Sequence, residues 1–450
     1  MFHHSSILIS VLATALVSGC ATIPKEAGFR DVEKMVGERQ ELRLHWYQGT
    51  QEDKAVSETI RSMLREELTV DQAMQIALLN NQALQATFEE LGIAQADLVQ
   101  AGLLQNPVFS GHVRFPDNSS LSTNTEFAVT QDFLDILFLP LRKKLAAMQF
   151  EQAKLRVGDA VLSLSAEVKS ATYTLQASQQ MLAMWQAVFQ AAQAAAEMAL
   201  RQHEAGNISA LDLANEQALY EQMKVDLAKS EAEVLADRER LNRLMGLESE
   251  GVELKITETF PDLPHTDPPL DKLEDLALSR RLDLAIAREE ILVLKKTLTL
   301  TRVGVIPALE VGVDTEKDAD RTRVTGPSWA LPLPLFDQRQ AAVARVKAQL
   351  RQSEERLAAL ERDARSEVRL VRNRLLIARH EAESYRDMIV PLREKIVAES
   401  LQQYNYMLIG VFQLLQAKQN EINARRDYIE ALKNYWIARS DLERAIGGEL

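Results

Sequence analysis

The chain has 450 residues, a formal net charge of −13, 17 Gly, 13 Pro and one Cys. An acidic balance without a basic, aromatic-interleaved cluster excludes a general nucleic-acid binder. A lone Cys excludes an intrachain disulfide or a Cys metal cluster. The length suits two or three ordinary domains or one elongated repeat structure, and the predominance of Ala, Leu, Glu, Arg and Gln favours helix.

The N-terminus carries an apolar run, Ile7 to Val17, too short to span a bilayer. Val17-Ser18-Gly19-Cys20 follows it and resembles a bacterial lipoprotein signal. On that resemblance residues 1–19 are a signal peptide and Cys20 carries the only non-protein group expected, a covalent lipid. Met1-Phe2-His3-His4 lacks the usual Lys or Arg, and the other reading is an ordinary secretory signal. Ala21 stands where an inner-membrane lipoprotein commonly has Asp, which implies the outer membrane. No later run of apolar residues is long enough for a transmembrane helix.

Residues 20–69 read as an anchor segment. Thr69 is a helix N-cap, and a helical pattern runs from Asp71 to Leu104 until Asn106-Pro107. The period then changes to two. Val108–Phe115 places Phe109, Val113 and Phe115 on one side and Ser110, His112 and Arg114 on the other. A polar turn leads to a second strand, Thr123–Phe133, so residues 107–133 form a hairpin. A long helix is predicted for residues 142–204 and another from Ser209 to Met245, closed by Gly246. A proline-rich linker covers 247–269.

The same order then recurs: helix Asp271–Val303, hairpin 307–331, long helix 339–406 and helix Val411–Ile446. Pro107 and Pro307 differ by 200, as do Glu89-Glu90 and Glu289-Glu290. Gly246 and Gly447 differ by 201, as do Leu241 and Leu442. Registration at both ends implies a duplicated unit, residues 70–246 and 270–450. The apolar steps of the second long helix average close to 3.5 residues, and 68 such residues extend about 100 Å. Pro391 predicts a kink there, with no counterpart at Gln190.

Two hairpins give four strands, too few to close a barrel, since the smallest closed membrane barrels have about eight. Strands of about ten residues with alternating faces suit an outer-membrane barrel, so closure requires further copies: two bring about eight strands, three about twelve with a lumen. The alternative is that the hairpins only cap a helical rod.

The lipobox Cys, the duplicated helix–hairpin–long helix–helix unit, and the Gly206…Asp212 and Leu414-Leu415…Gly447 segments resemble the outer-membrane efflux protein family, the TolC-like channels. The resemblance covers residues 60–450 and the lipoprotein branch that works with resistance-nodulation-division pumps. Residues 27–46 resemble members associated with heavy-metal efflux. It implies a mainly α fold with a small β part, and a homotrimer forming a 12-stranded β-barrel on a 12-helix α-barrel tunnel. The implied setting is the outer membrane of a Gram-negative bacterium, with the chain reaching into the periplasm. Implied partners are outer-membrane lipid, a periplasmic adaptor (a membrane fusion protein) and an inner-membrane pump, with no nucleic acid. The pump drives solute through a passive conduit, and metal cations are one candidate cargo.

By the same resemblance, Gly206, Asp212, Asn215, Tyr404, Gln413 and Gln416 are candidates for the periplasmic aperture; Ser110, His112 and Arg114, on the polar strand face, are candidates for the barrel lumen. The family often has acidic residues where Gln413 and Gln416 stand, and Met407 replaces the first turn's Gly206. No enzyme site is legible. The His residues share no metal-ligand spacing, and neither a phosphate loop nor a nucleophile motif is present. Two other readings remain open: a lipid-anchored structural coiled coil or adaptor without a pore, and a type I protein secretion channel.

Overall fold

The computed structural model describes residues 26, 28–40, 42–117, 121–248, 254–265, 272–305 and 309–449. The expected signal peptide, Cys20, Pro268, Pro269 and Pro307 lie outside the described residues.

The elements run α1 (Phe29–Gly37), α2 (Gln51–Met63), α3 (Val70–Asn80), α4 (Gln82–Ala101), β1 (Val108–Arg114), β2 (Asn124–Asp132), α5 (Leu134–Glu204) and α6 (Ala210–Met245). Then come α7 (Leu273–Arg280), α8 (Leu282–Val303), β3 (Glu310–Lys317), β4 (Arg323–Ala330), α9 (Gln340–Ser384), a π-helical turn (Tyr385–Ile389), α10 (Val390–Asn405) and α11 (Val411–Ile446). The chain divides into two units. The first holds Met1–Val32, Phe88–Val157 and Asp283–Ala359; the second holds Glu33–Thr87, Gly158–Leu282 and Leu360–Leu450.

In the first unit the two hairpins share one antiparallel sheet of order β1-β2-β3-β4. The central pair, β2 with β3, joins strands from the two repeats, with Val129 opposite Val313. Pro327 sits in β4 opposite Val313, at the edge of the sheet where a missing N–H is tolerated. Near α1, Phe29 packs edge-on against Phe88 at 5.3 Å, and the buried Lys154 amine is held 2.7 Å from both Asp31 and Glu151. Burial opposes the Lys154 charge, but the two carboxylates outweigh it and raise its pKa.

The second unit has two apolar clusters that are twins. One gathers Ala77, Val168, Ala171, Leu175, Leu241 and Met245. The other gathers Ala277, Val368, Val371, Leu375, Leu442 and Ile446, the same positions 200 or 201 residues on. Each duplicated unit therefore buries the same stripe of its first, long and last helices. Tyr173 stacks on Trp436 at 5.5 Å within the second cluster.

Two local features differ from the sequence reading, and a third adds to it. First, the helices expected over 71–104 and 271–303 are each broken, at Asn81 and Arg281. Both residues are extended, at ψ 117° and 126°. The reason is tertiary. At the first break Asn80 and Asn81 donate to the last carbonyls of α6, on Met245, Gly246 and Leu244, at 2.8–3.0 Å. At the second, Arg281 donates to Ala445 O at the end of α11 and to Glu367 at 2.6 Å. The breaks seat the C-termini of the returning helices, whose orphan carbonyls need donors.

Second, α5 begins at Leu134, ahead of the expected Arg142, and takes Pro140 inside it. Asp132 Oδ1 accepts from the backbone N–H of Leu134 and Asp135, which starts the helix early. Third, Pro391 is accommodated by the π-helical turn just before it. Val390 N–H donates to Tyr385 O, five residues back. Pro391 has no N–H for Asp387 O, and the wider turn relieves the crowding its ring imposes on an α-helical backbone.

Candidate channel face and helical tips

Strand alternation and the pairing register sort the sheet into two faces. One row crosses Phe109, Val129, Val313 and Pro327; the next of like orientation crosses Gly111, Phe127, Thr315 and Thr325. Val113, Val311 and Trp329 share that face. Apart from Gln131 and the Lys317–Arg323 pair at the hairpin end, its large side chains are apolar and uncovered: Phe109 is 69% and Trp329 74% exposed. Phe127 covers Gly111, its ring carbon 3.0 Å from where a Cβ would stand, and stacks on Phe109 with ring centroids 6.0 Å apart.

The opposite face is polar. Ser110, Ala128, Asp314 and Gly326 form one row; His112, Glu126, Glu316 and Val324 form the next. Arg114 pairs with Asn124 on the same face, and Asp132 with Glu310 at its other end. The structure thus gathers the three strand candidates Ser110, His112 and Arg114 on one surface. It adds five carboxylates that the sequence reading did not single out: Glu126, Asp132, Glu310, Asp314 and Glu316. Arg114 Nη2 sits 3.2 Å from Glu126, with His112 at 3.9 Å, and Asn124 donates to Glu316 at 2.7 Å. One guanidinium leaves the face strongly negative. The signal was in the sequence, but placing the acids on one face needs the register between strands about 180 residues apart.

Two tips with the same backbone hydrogen-bond pattern lie in the second unit. At the first, Gly206 N–H reaches His203 O and Asn207 N–H reaches Gln202 O. At the second, 201 residues on, Met407 N–H reaches Tyr404 O and Leu408 N–H reaches Gln403 O. Gly206 has φ +76° and Met407 φ +58°, so a methionine adopts the left-handed backbone that glycine takes in the twin. Met407→Gly is expected to stabilise the chain by about 1 kcal/mol, read as a higher urea midpoint, because the Cβ clash of the left-handed region disappears.

The six aperture candidates fall at or near these tips, three on each. Asp212 is occupied locally: its carboxylate accepts from Ser209 N–H at 3.2 Å and Ser209 Oγ at 2.8 Å, closing a capping box at the start of α6. Asn215 and Gln413 are exposed, and Gln416 bonds Asn420 at 3.2 Å. Tyr404 is 40% exposed. The larger difference between the tips is apolar: Tyr406, Met407 and Leu408 are 73%, 93% and 72% exposed, where the first tip has Ala205, Gly206 and Asn207.

Residues 73–247 and 273–448 both match the family described as Outer membrane efflux protein, together more than three quarters of the chain. The chain belongs to the outer membrane efflux protein family. Its relatives are efflux channel proteins, not enzymes. The cobalt-zinc-cadmium resistance protein CzcC of Cupriavidus metallidurans is 21% identical over 397 residues, covering 84% of this chain and 90% of CzcC. A membrane protein of Pseudomonas aeruginosa has the same fold at TM-score 0.72 and 17% identity, over 84% of this chain and 92% of that one. The CmeC outer membrane channel of Campylobacter jejuni superposes at TM-score 0.70 and 16% identity, over 84% and 85%. Membership in the efflux protein family, with one face of the sheet apolar and the other acidic, removes the reading of a coiled coil without a pore.

Proposed function

We propose that three copies of the chain close a barrel whose acidic face lines the lumen, and that the conduit passes metal cations outward. The observation that carries the reading is the sheet. One face is apolar and uncovered, the other acidic, and both β1 and β4 lack a neighbour among the described residues. A sheet with two open edges is not tolerated in lipid, so its edges must be paired by further copies. Three copies bring about twelve strands, enough for an open lumen, where about eight are filled by side chains. Small side chains in the polar face, Ser110, Ala128, Gly312, Gly326 and Ser328, leave that lumen wide.

The cargo follows from charge. Rings of Asp and Glu favour cations, and an excess of carboxylates on the inner wall raises their local concentration. The relative named for cobalt, zinc and cadmium resistance supports the same class. In this reading Cys20 carries the lipid, and the exposed apolar tip at Tyr406–Leu408 meets a periplasmic adaptor that links the channel to a resistance-nodulation-division pump. The passage is passive, with the pump supplying the work.

The test is a reversal potential. Full-length protein, its acylation verified by intact mass, is placed in a planar bilayer under a tenfold KCl gradient. A potential of the sign for K⁺ preference is expected. An anion-selective or unselective pore overturns the cation reading, and absence of conductance overturns the pore.

A further inference from the structure

The second unit contains a cavity of about 510 Å³ between α5, α6 and α11. That volume lies within the range of about 300–1,000 Å³ typical of small-molecule sites. It exists because α5 presents Ala187, Ala191 and Ala195 at four-residue steps, where larger side chains would close the gap. Met184, Leu219, Met223, Leu415 and Ile422 supply an apolar wall.

Four charged groups complete the lining, and they are unevenly paired. Glu421 is buried and holds both Lys418, at 2.5 Å, and Arg425, at 3.1 Å. Burial pushes its carboxyl up, but the two cations more than offset this and hold it below the ordinary glutamate range. Arg425 also reaches Glu394 at 2.5 Å. The cations of the cavity are therefore committed to other carboxylates. Glu216, on α6, has no such partner: its Oε2 is shielded from solvent and accepts no hydrogen bond among the described residues. Burial alone raises its pKa. An uncompensated carboxylate oxygen at an apolar wall costs stability in the empty state, and a donor that reaches it recovers that cost.

We propose that this cavity binds an apolar organic cation, whose ammonium donates to Glu216 and whose aromatic or hydrocarbon body covers the Met184, Met223 and Ile422 wall. Thioethers favour aromatic rings, and a desolvated carboxylate favours a charged donor over a neutral one. A hydrated metal ion does not fit the same wall, because it keeps its water and needs several oxygen ligands. The site is thus separate in chemistry from the acidic face of the sheet.

The test uses full-length purified protein and dansylcadaverine, a primary amine with a naphthalene ring. Saturable fluorescence enhancement at one probe per chain is expected. Glu216→Gln should weaken it at least tenfold, and Ala191→Trp should abolish it. Dansylamide, which lacks the amine, should bind the wild type at least tenfold more weakly. If Ala191→Trp fails to fold, as read by circular dichroism, Ala191→Leu takes its place. Equal binding of the two probes, or of wild type and Glu216→Gln, overturns the proposal and assigns the signal to apolar partitioning. Absence of saturable binding overturns it, and loss of oligomer in the Ala191 variant then assigns the cavity to a helix from a second copy.

Discussion

Gly246→Ala is expected to be among the most damaging single substitutions in the chain. Gly246 closes α6 in the left-handed conformation, at φ +67°, and a Cβ there would stand 2.5 Å from Asn80 O and 2.8 Å from Gln82 Oε1. Two costs add. The left-handed backbone costs an alanine about 1–2 kcal/mol. Forcing a methyl against a fixed backbone carbonyl costs about 1–3 kcal/mol more. The substitution also pushes on the seat where Asn80 and Asn81 satisfy the last carbonyls of α6, so those donors lose their geometry as well. A loss of about 2–5 kcal/mol is expected, measured as a shift of the urea midpoint followed by circular dichroism. Gly447→Ala probes the twin position. Its Cβ would meet Arg280 C and Arg281 N at 2.9 Å, a milder clash at a similar φ of +81°. The Gly447 variant should therefore lose less than the Gly246 variant. The reverse order would show that the two seats do not carry equal loads.

The second large effect concerns selectivity. Replacing Glu126, Asp314 and Glu316 together by Gln, Asn and Gln removes three of the five carboxylates on the polar face while preserving side-chain size. Glu126 and Glu316 lie directly opposite each other across β2 and β3, so their fields add at one level of the wall. Arg114 keeps its charge but loses its partner Glu126. The preference for cations over anions in planar bilayers should fall by about 3- to 10-fold, since these charges act over about 10 Å at 0.1 M salt. At 1 M salt the Debye length shrinks to about 3 Å, and wild type and variant should converge. An unchanged ratio at low salt would place the selective element elsewhere than on this face.

Much of the architecture was legible because the two periods are unmistakable. A two-residue alternation at Val108–Phe115 cannot be mistaken for the steps of 3 and 4 along the long helices, and the offset of Pro107 and Pro307 exposed the duplication. What was not legible depends on contacts far apart in the chain. Asn81 and Arg281 interrupt helices whose local pattern continues through them, since the determinants lie at the ends of α6 and α11. The start of α5 at Leu134, ahead of the expected Arg142, rests on Asp132 in the preceding strand, which caps the helix. The acidic face was hidden for the same reason: no turn connects β2 to β3, so their register leaves no local trace. The aperture candidates were located by likeness, and Asp212 shows what likeness omits, because its carboxylate is already engaged by Ser209.

Pro327 bears on the life of the chain before it reaches its membrane. A subunit with two unpaired sheet edges can recruit any passing strand, and the most abundant candidate is another misaligned copy. Proline at the β4 edge removes a donor from whatever ladder forms there, and Arg323 and Lys317 put charge at one end of the same hairpin. A stray strand in water gains too little from such an edge to stay. In the proposed trimer a correctly placed copy gains its helical contacts and its lipid face at the same moment. Under the trimeric closure proposed above, timing is built into the edge: the sheet resists extension while the subunit is alone and closes when its partners arrive together.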